Sequence, residues 1–345
     1  MRRLAVALVA ASLVVGACSS GGDKEKASTT TTRAAADATT TIAVDPDVAP
    51  LTGLPADAAV RNRPALVVKI DNYAAKSYPQ FGVGAADIVI CEGVEGGITR
   101  LAAIFHSKDA PTVGPVRSAR SSDLHFAVPL GRALFAYSGT NGNFQKLIAE
   151  SPLIDLSPGK LPGGYTRNAS RAAPYNLFSS TAKFYGAAPS AATAAKPLFS
   201  FASESATAEG SPVFKLDLFW KMPDRATRTD VSWTWNGGKP NRVQAGQATT
   251  DANGPAVAPR NVVVLFVEYA DTGERDQSKS IVPEAKLEGS GQAWVVRDGK
   301  LVKGTWTKTS NETPIVLRDD EGKSIDLLPG QTWVEMPAPG NASVA

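Results

Sequence analysis

The first eighteen residues constrain the chain most strongly, because a leader peptide there would be removed and the folded part would start after it. Two arginines precede an apolar run over residues 4–15, and Gly16, Ala17 and Cys18 follow it. A helix needs about 20 apolar residues to cross a bilayer, so this run is too short to be a membrane span. A basic start, a short apolar segment and small residues before a cysteine predict a secretory signal peptide.

The end of this leader resembles a bacterial lipobox, in which a lipid is attached to Cys18 and cleavage makes that residue the mature N-terminus. The alternative is an ordinary signal peptide cleaved nearby, which would leave the thiol free. Residues 19–47 favour the lipobox, because a segment so rich in Ser, Thr, Ala and Gly cannot bury enough surface to fold. We therefore predict a leader over 1–18, a disordered tether over 19–47, and a lipid-anchored position on the outer face of the cytoplasmic membrane.

Charge and cysteine content exclude several classes of partner. The formal net charge is +3, and removal of Arg2 and Arg3 with the leader lowers it to +1. Without a basic excess we predict no nucleic-acid partner. The chain has 2 cysteines, so lipidation of Cys18 leaves Cys91 without a disulfide partner. No recognised histidine or cysteine spacing for zinc is present, and we predict neither a metal nor a cofactor.

The chain after the tether is longer than one hydrophobic core usually holds, and its composition changes near residue 207. Residues 48–207 combine apolar runs at 65–70, 87–91, 101–105 and 133–137 with helical segments at 121–130, 143–151 and 180–186. Apolar runs without polar alternation are typical of strands that are buried on both faces. We predict an α+β or α/β domain over 48–207, with Ser121, Ser122 and Asp123 supplying the N-cap of the helix over 121–130.

Residues 208–340 are expected to form a β-rich domain. Segments 292–297 and 300–308 flank Asp298-Gly299, a dipeptide that suits the positive φ angles of a type I′ hairpin turn. A second pair, 314–318 and 324–328, precedes a turn at Pro329-Gly330 and a last run at 332–336. This pattern predicts a mostly antiparallel meander that forms a sandwich or a partly closed barrel.

Polar residues concentrate between positions 69 and 125, where predicted strands end. Three interpretations compete for this cluster. In the first, Arg117 and Arg120 precede a helix N-terminus and bind a carboxylate or phosphate, a role that arginine forks suit. In the second, a carboxylate (Asp71, Glu92 or Glu95) acts with His106 or His125 in acid–base or metal-assisted hydrolysis. In the third, the residues are internal salt bridges and turns that close the end of a sheet. The candidate ligand-binding residues are Arg117, Arg120, Ser118, Arg100 and Asn72, and the candidate catalytic residues are Asp71, Glu92, Glu95 and His106.

Two later loops would complete a cleft if they fold over the same sheet end as Arg117. One loop covers residues 137–142, and the other contains Arg167 and residues 171–176. The sequence alone does not place either loop there.

The chain resembles the YerB-type lipoprotein family, which is classed as a domain of unknown function. The N-terminal resemblance rests on segments 50–55 (PLTGLP), 68–72 (VKIDN), 94–100 (VEGGITR), 114–120 (GPVRSAR) and 173–177 (APYNL). Residues 233–335, with 304–306 (GTW) and 329–333 (PGQTW), are similar to the C-terminal companion domain of that family. The resemblance covers nearly all of the chain after the tether, and it implies two domains and a lipid anchor.

The resemblance implies no established activity and no catalytic residues. The chain departs from the family pattern at Tyr78, Tyr137 and Tyr175, where we expect Arg, His and His. Because tyrosine cannot replace a required acid–base group or metal ligand without a change of chemistry, this departure argues against a histidine-based mechanism. A binding role tolerates such exchanges.

The leading hypothesis is therefore a cell-envelope binding or accessory lipoprotein rather than an enzyme. Its partner would be a wall component or an envelope protein, and Arg117 and Arg120 would contact an anionic group on it. The alternatives are an envelope hydrolase that acts on peptidoglycan or a related glycan, and a structural partner of another membrane protein.

The lipobox makes a direct prediction about acylation. Cells that express the chain and are labelled with palmitate should incorporate the label, and Cys18→Ser should abolish incorporation, because the thiol is the attachment point. Cys91→Ser is the matched control and should be labelled like the parent. If the parent never takes up the label, the predicted anchor is wrong.

Overall fold

The computed structural model describes residue 42 and residues 45–223, 227–254 and 257–345. The predicted leader, Cys18 and most of the predicted tether lie outside the described residues. Within the described part of the chain, no helix is both long enough and apolar enough to cross a membrane.

The N-terminal segment combines short helices with strands of a large sheet. Its strands are β1 (Leu66–Asp71), β2 (Ile88–Gly93), β3 (Thr99–Phe105), β4 (Leu134–Ala136), β5 (Ile154–Asp155), β6 (Thr166–Arg167) and β7 (Leu177–Phe178). Its α-helices are α1 (Ala58–Arg61), α2 (Ala74–Ser77), α3 (Leu124–Ala127), α4 (Gly142–Glu150) and α5 (Thr181–Gly186), and 3-10 turns cover Glu95–Gly97, Ser121–Asp123 and Val128–Leu130.

The C-terminal segment consists of strands and connecting turns in the part that the structure describes. The strands are β8 (Ser211–Pro212), β9 (Lys215–Lys221), β10 (Arg228–Asn236), β11 (Lys239–Gln244), β12 (Gln247–Ala248), β13 (Asn261–Leu265), β14 (Tyr269–Arg275), β15 (Ile281–Ala285), β16 (Gly289–Arg297), β17 (Lys300–Lys308), β18 (Val316–Asp319), β19 (Thr332–Met336) and β20 (Ala342–Val344).

One large mixed sheet contains strands from both segments, in the order β18-β17-β16-β13-β19-β2-β3-β1-β4-β5. Strand β19 pairs in parallel with β13 on one side and with β2 on the other. Every residue of β19 is buried, which is typical of a strand covered on both faces. The segments on either side of residue 207 therefore share one sheet, and the domain boundary there stays a prediction.

A second sheet, in the order β12-β11-β10-β9-β20, packs on one face of the large sheet. Strands β9 and β10 alternate buried and exposed residues, as expected for a sheet with one face on a core. Leu216, Trp220 and Trp233 of this sheet share a core with Val89 and Trp333 of the large sheet. The two sheets form a sandwich, and the described residues contain no closed barrel.

The opposite face of the large sheet is covered by helices. Phe126 of α3, and Phe144 and Ile148 of α4, pack with Val67 and Ala102 of the sheet. The large sheet thus lies between a helical layer and the second sheet. This arrangement confirms the predicted fold class, an α+β or α/β N-terminal region followed by a mostly antiparallel β region.

Local predictions agree with most of these elements. Strands β1 to β4 occupy the four apolar runs, and the hairpin of β16 and β17 turns at Asp298 and Gly299 with φ angles of 47° and 78°. The run at 324–328 forms two isolated bridges, Ser324 with Arg318 and Leu327 with Phe201, instead of a strand. The run at 332–336 is a strand, but it lies inside the large sheet instead of extending an antiparallel meander.

A buried ion pair joins the two sheets. Arg242 Nε of β11 donates to Glu335 Oε1 of β19 at 2.8 Å, and neither side chain has exposed surface. Trp233 Nε1 donates to the same oxygen at 2.9 Å. The guanidinium of Arg242 also donates to Thr249 Oγ1 and Gln244 Oε1. Since a buried charge is costly without partners, this network determines how the sheets meet.

Arg242→Leu should destabilise the protein strongly, because it leaves the Glu335 carboxylate buried without its counter-ion. Removal of one partner of a buried pair costs about 3–5 kcal/mol in free energy of unfolding. Urea denaturation measures the loss. Arg318→Leu is the control, since Arg318 is exposed and donates only to the Gly322 carbonyl, and it should change stability by less than about 0.5 kcal/mol. Equal stabilities of the two variants would contradict the role of the pair.

Candidate functional site

Charged residues lie side by side at one end of the large sheet. Asp71 of β1 stands opposite Arg100 of β3, and Arg100 stands opposite Glu92 of β2. Residues directly opposite one another in neighbouring strands project to the same face of a sheet. This register places two carboxylates and a guanidinium in one row, on the face that carries the helical layer.

Lys69 forms the buried centre of this region. Its Nζ lies 2.5 Å from Glu92 Oε1 and 2.5 Å from Asp123 Oδ1, and all three side chains are fully buried. Glu92 Oε2 is also buried and has no hydrogen-bond partner among the described residues. Glu92, a candidate catalytic residue, is therefore enclosed in an ion cluster away from solvent.

The second carboxylate of the cluster keeps a proton to unusually high pH. Burial raises the pKa of Asp123 from 3.8 to about 7, against the attraction of Lys69 and with a further increase from Glu92. Asp123 also accepts the backbone N–H of Arg120 at 2.7 Å. Its carboxyl thus connects the buried cluster to the arginine-bearing loop above it.

The loop 114–120 holds Arg117 at the edge of this cluster. The Arg117 backbone N–H donates to Lys69 O at 2.8 Å, and its carbonyl accepts from Ser138 N at 2.9 Å. The Arg117 Nε lies 2.7 Å from Asp71 Oδ2. Asp71 Oδ1 accepts from Tyr73 N and from the Ser77 hydroxyl, so this carboxylate is itself held in place. The side chain of Arg117 remains 25% exposed.

Glu95 contacts the other two arginines. Its Oε1 accepts from Arg120 Nε, and its Oε2 lies 3.9 Å from Arg100 Nη2. Burial acts to raise the Glu95 pKa, but the charges of Arg120 and Arg100 outweigh it and hold that pKa below its usual value. Burial, with a further contribution from Arg120, lowers the pKa of Arg100 to about 10. Arg100 Nη1 donates to Ser118 O at 3.0 Å.

Two clefts meet at Arg117 and Ser118. The inner cleft, about 460 Å³, is lined by residues that include Glu95, Arg100, Arg117, Ser118, Arg120 and Asp276. The outer cleft, about 540 Å³, is lined by residues that include Arg117, Ser118, Ser138, Leu161, Tyr165 and Arg167. Asp276 caps its own turn, since its Oδ1 accepts from the backbone N–H groups of Ser278 and Ser280.

The two loops that the sequence could not place both reach this region. Ser138 lines the outer cleft, and Thr140 and Asn141 line the inner one. Arg167 lines the outer cleft, and the Tyr175 ring lies 5.7 Å from the Arg117 guanidinium carbon. Tyr175 is one of the positions at which the chain departs from the expected family pattern.

Four candidate residues line neither cleft: Asn72, Asp71, Glu92 and His106. His106 follows the end of β3 opposite to Arg100, and six residues of extended strand separate them by roughly 20 Å. Its ring is fully buried, neither ring nitrogen has a hydrogen-bond partner among the described residues, and burial lowers its pKa to about 4. Asn72 is buried and donates to Thr99 Oγ1 and Gln244 Oε1.

The three residues predicted to supply the N-cap have different roles. Ser121 and Ser122 do not cap the first turn, and the Ser122 hydroxyl accepts from Ala285 N. Asp123 is the N-cap residue of α3 without a side-chain cap bond there, and its carboxylate accepts the Arg120 N–H. The partnership of Lys69 with Asp123 was not predicted, although a lysine inside an apolar strand signals that a buried counter-ion is needed.

Known families and proteins match most of this chain. Residues 51–194 match the N-terminal domain, and residues 220–334 the C-terminal domain, of a protein of unknown function, DUF3048. YerB of Bacillus subtilis (strain 168), named as a candidate lipoprotein, is 29% identical over 301 residues, which cover 84% of this chain and 85% of the relative. The crystal structure of YerB from Bacillus subtilis has a TM-score of 0.74 at 26% identity and covers 86% of this chain and 99% of its own.

Asp123→Asn should change how stability depends on pH. The folded-state pKa of Asp123 lies above the unfolded value, so its contribution to the free energy of unfolding is present at low pH and is lost as pH rises from about 4 to about 7. In urea denaturation, the free energy of unfolding of the variant relative to the parent should be higher at pH 8 than at pH 5 by on the order of 2 kcal/mol. The exposed Asp57→Asn is the control, and a difference that stays constant with pH would contradict the raised pKa.

Proposed function

Because this chain belongs to the DUF3048 family and carries both of its domains, and because its relative YerB is named as a candidate lipoprotein, we propose that it is a lipid-anchored binding module of the cell envelope. The resemblance predicted from the sequence motifs is confirmed by both matches. In this proposal Cys18 carries the lipid, the tether follows it, and the folded part recognises an anionic group of a wall component or envelope protein outside the cytoplasmic membrane.

The observation that carries the proposal is the way Arg117 is held. Its Nε is engaged by Asp71, whereas its two terminal nitrogens have no protein hydrogen bond among the described residues. The Arg117 side chain is partly exposed at the junction of both clefts. A planar fork with free donors in a fixed orientation suits bidentate recognition of a carboxylate or phosphate.

The charges next to Arg117 also favour an anionic ligand. Arg100 and Arg120 line the inner cleft with Arg117, and Glu95 is the carboxylate that faces both of them. Burial of Arg100 opposes its charge, as the fall of its pKa to about 10 indicates. An anion in the inner cleft would offset the repulsion among the three guanidinium groups, and their fixed positions reduce the ordering cost of binding.

The placement of the candidate catalytic residues favours binding over hydrolysis. His106 lies at the far end of β3, and Glu92 is enclosed with Lys69. Asp71 and Glu95 are each engaged by an arginine. General acid–base catalysis needs a group within hydrogen-bond reach of a substrate, and an arginine already contacts each of these two carboxylates.

Co-sedimentation of the whole chain, kept in detergent, with purified cell-wall material and with isolated envelope membranes tests the proposal. The bound fraction should fall as salt rises. Arg117→Gln combined with Asp71→Asn removes the fork without leaving a carboxylate unpaired, and it should weaken binding at least about tenfold, the lower end of the roughly 1.5–3 kcal/mol that a hydrogen bond to a charged group contributes.

Two further variants make the result specific. Arg117→Lys keeps the charge but loses the bidentate geometry, so its binding should be intermediate. Arg132→Gln removes an exposed arginine outside both clefts and should bind like the parent. If the double variant remains folded and binds wall material and membranes as well as the parent does, the site is not where we place it.

A further inference from the structure

The outer cleft differs from the inner one in its lining. Arg117 and Arg167 both line it, and none of the described residues that line it is an Asp or Glu. The hydroxyl-bearing residues Ser118, Ser138 and Tyr165 also belong to its lining, and the Tyr165 hydroxyl donates to the Leu156 carbonyl. It therefore presents positive charge and hydrogen-bonding groups without a carboxylate of its own.

The backbone sets the distance between the two arginines of this cleft. Val116, next to Arg117, donates its N–H to Leu177 O at 2.7 Å. Leu177 pairs in turn with Arg167 in the β6–β7 hairpin. Two strand spacings of about 4.8 Å therefore separate the backbones that carry Arg117 and Arg167, or roughly 10 Å.

The two arginines are held by different partners, Arg117 by Asp71 and Arg167 by Asn176, so backbones this far apart allow them to engage two separate anionic groups. Leu161 and the largely buried Leu177 are apolar residues of the outer cleft's lining. Such a wall suits the carbon skeleton that joins one anionic group to the next. Arg117 lines both clefts, so a chain of anionic groups can pass over it from Arg100 and Arg120 on one side to Arg167 on the other.

We infer that the ligand is a linear oligoanion, a polymer with an anionic group on each repeat, which occupies both clefts and crosses Arg117. This inference rests on the proposed function and adds the outer cleft as a second subsite with Arg167 as its charged contact. Carboxylated sugar chains and phosphodiester-linked polyol chains share this chemistry.

Arg167 is well suited to test the inference because it is exposed and outside the buried network. Its Nη1 donates only to Asn176 Oδ1, at 2.7 Å, so Arg167→Gln leaves no buried charge unpaired. The thermal unfolding midpoint of the variant should match that of the parent. A change in binding then reports on the cleft.

Isothermal titration calorimetry with the whole chain in detergent should use two ligand series. One is galacturonate with its tri- and pentamers, and the other is glycerol phosphate with oligomers of the same lengths. We expect the pentamer of at least one series to bind ten or more times tighter than its monomer. The series that shows this gain identifies whether the repeated group is a carboxylate or a phosphodiester.

The variants separate this inference from the proposed function. Arg167→Gln should remove most of the length-dependent gain and leave monomer affinity within about twofold, whereas Arg132→Gln should change neither. If monomer binding depends on Arg117 but pentamers bind no tighter, or Arg167→Gln keeps the gain, the extended ligand is wrong while the anion site stands. If no anion binds, or all bind equally after Arg117→Gln combined with Asp71→Asn, both ideas fail.

Discussion

The parallel pairing of β19 with β2 is the constraint on which the rest of the molecule depends. Strand β19 comes from the end of the chain, yet it lies between β2 and β13 and completes the large sheet. Glu335 on this strand accepts hydrogen bonds from Arg242 and Trp233 of the second sheet. A single strand therefore determines both the order of the large sheet and the position of the sheet packed on it.

Local sequence patterns predicted the elements but not this long-range arrangement. Strands β1, β2 and β3 are buried on both faces, so each is a nearly continuous apolar run that can be recognised without knowledge of its partners. The turn at Asp298 and Gly299 was predictable because its positive φ angles require those residue types. Nothing within the five residues of β19 indicates its partners, since a buried strand has the same composition beside any neighbour.

The candidate site was predictable in location but not in pairing. The motifs near 69–72 and 114–120 come together because loop 114–120 bonds to the end of β1. The choice of ion-pair partners depends on the register of β1 with β3 and on a turn that brings Asp123 over Lys69. Such contacts join residues far apart in the chain. From one sequence it was therefore not possible to decide whether Asp71 or Glu95 is the partner of Arg117.

The anion-binding interpretation of Arg117 and the internal salt-bridge interpretation, which competed at the level of sequence, are both compatible with the same geometry. Arg117 is in an internal salt bridge with Asp71, as the structural interpretation requires, and that bond uses only Nε. That bond leaves the two terminal nitrogens of Arg117 without a protein hydrogen bond among the described residues, and Arg117 lines both clefts. An arginine stays charged at every physiological pH, so a site built this way needs no titrating group. For this reason a tyrosine at position 175, close to Arg117, is compatible with recognition of an anion even where the family pattern leads one to expect histidine.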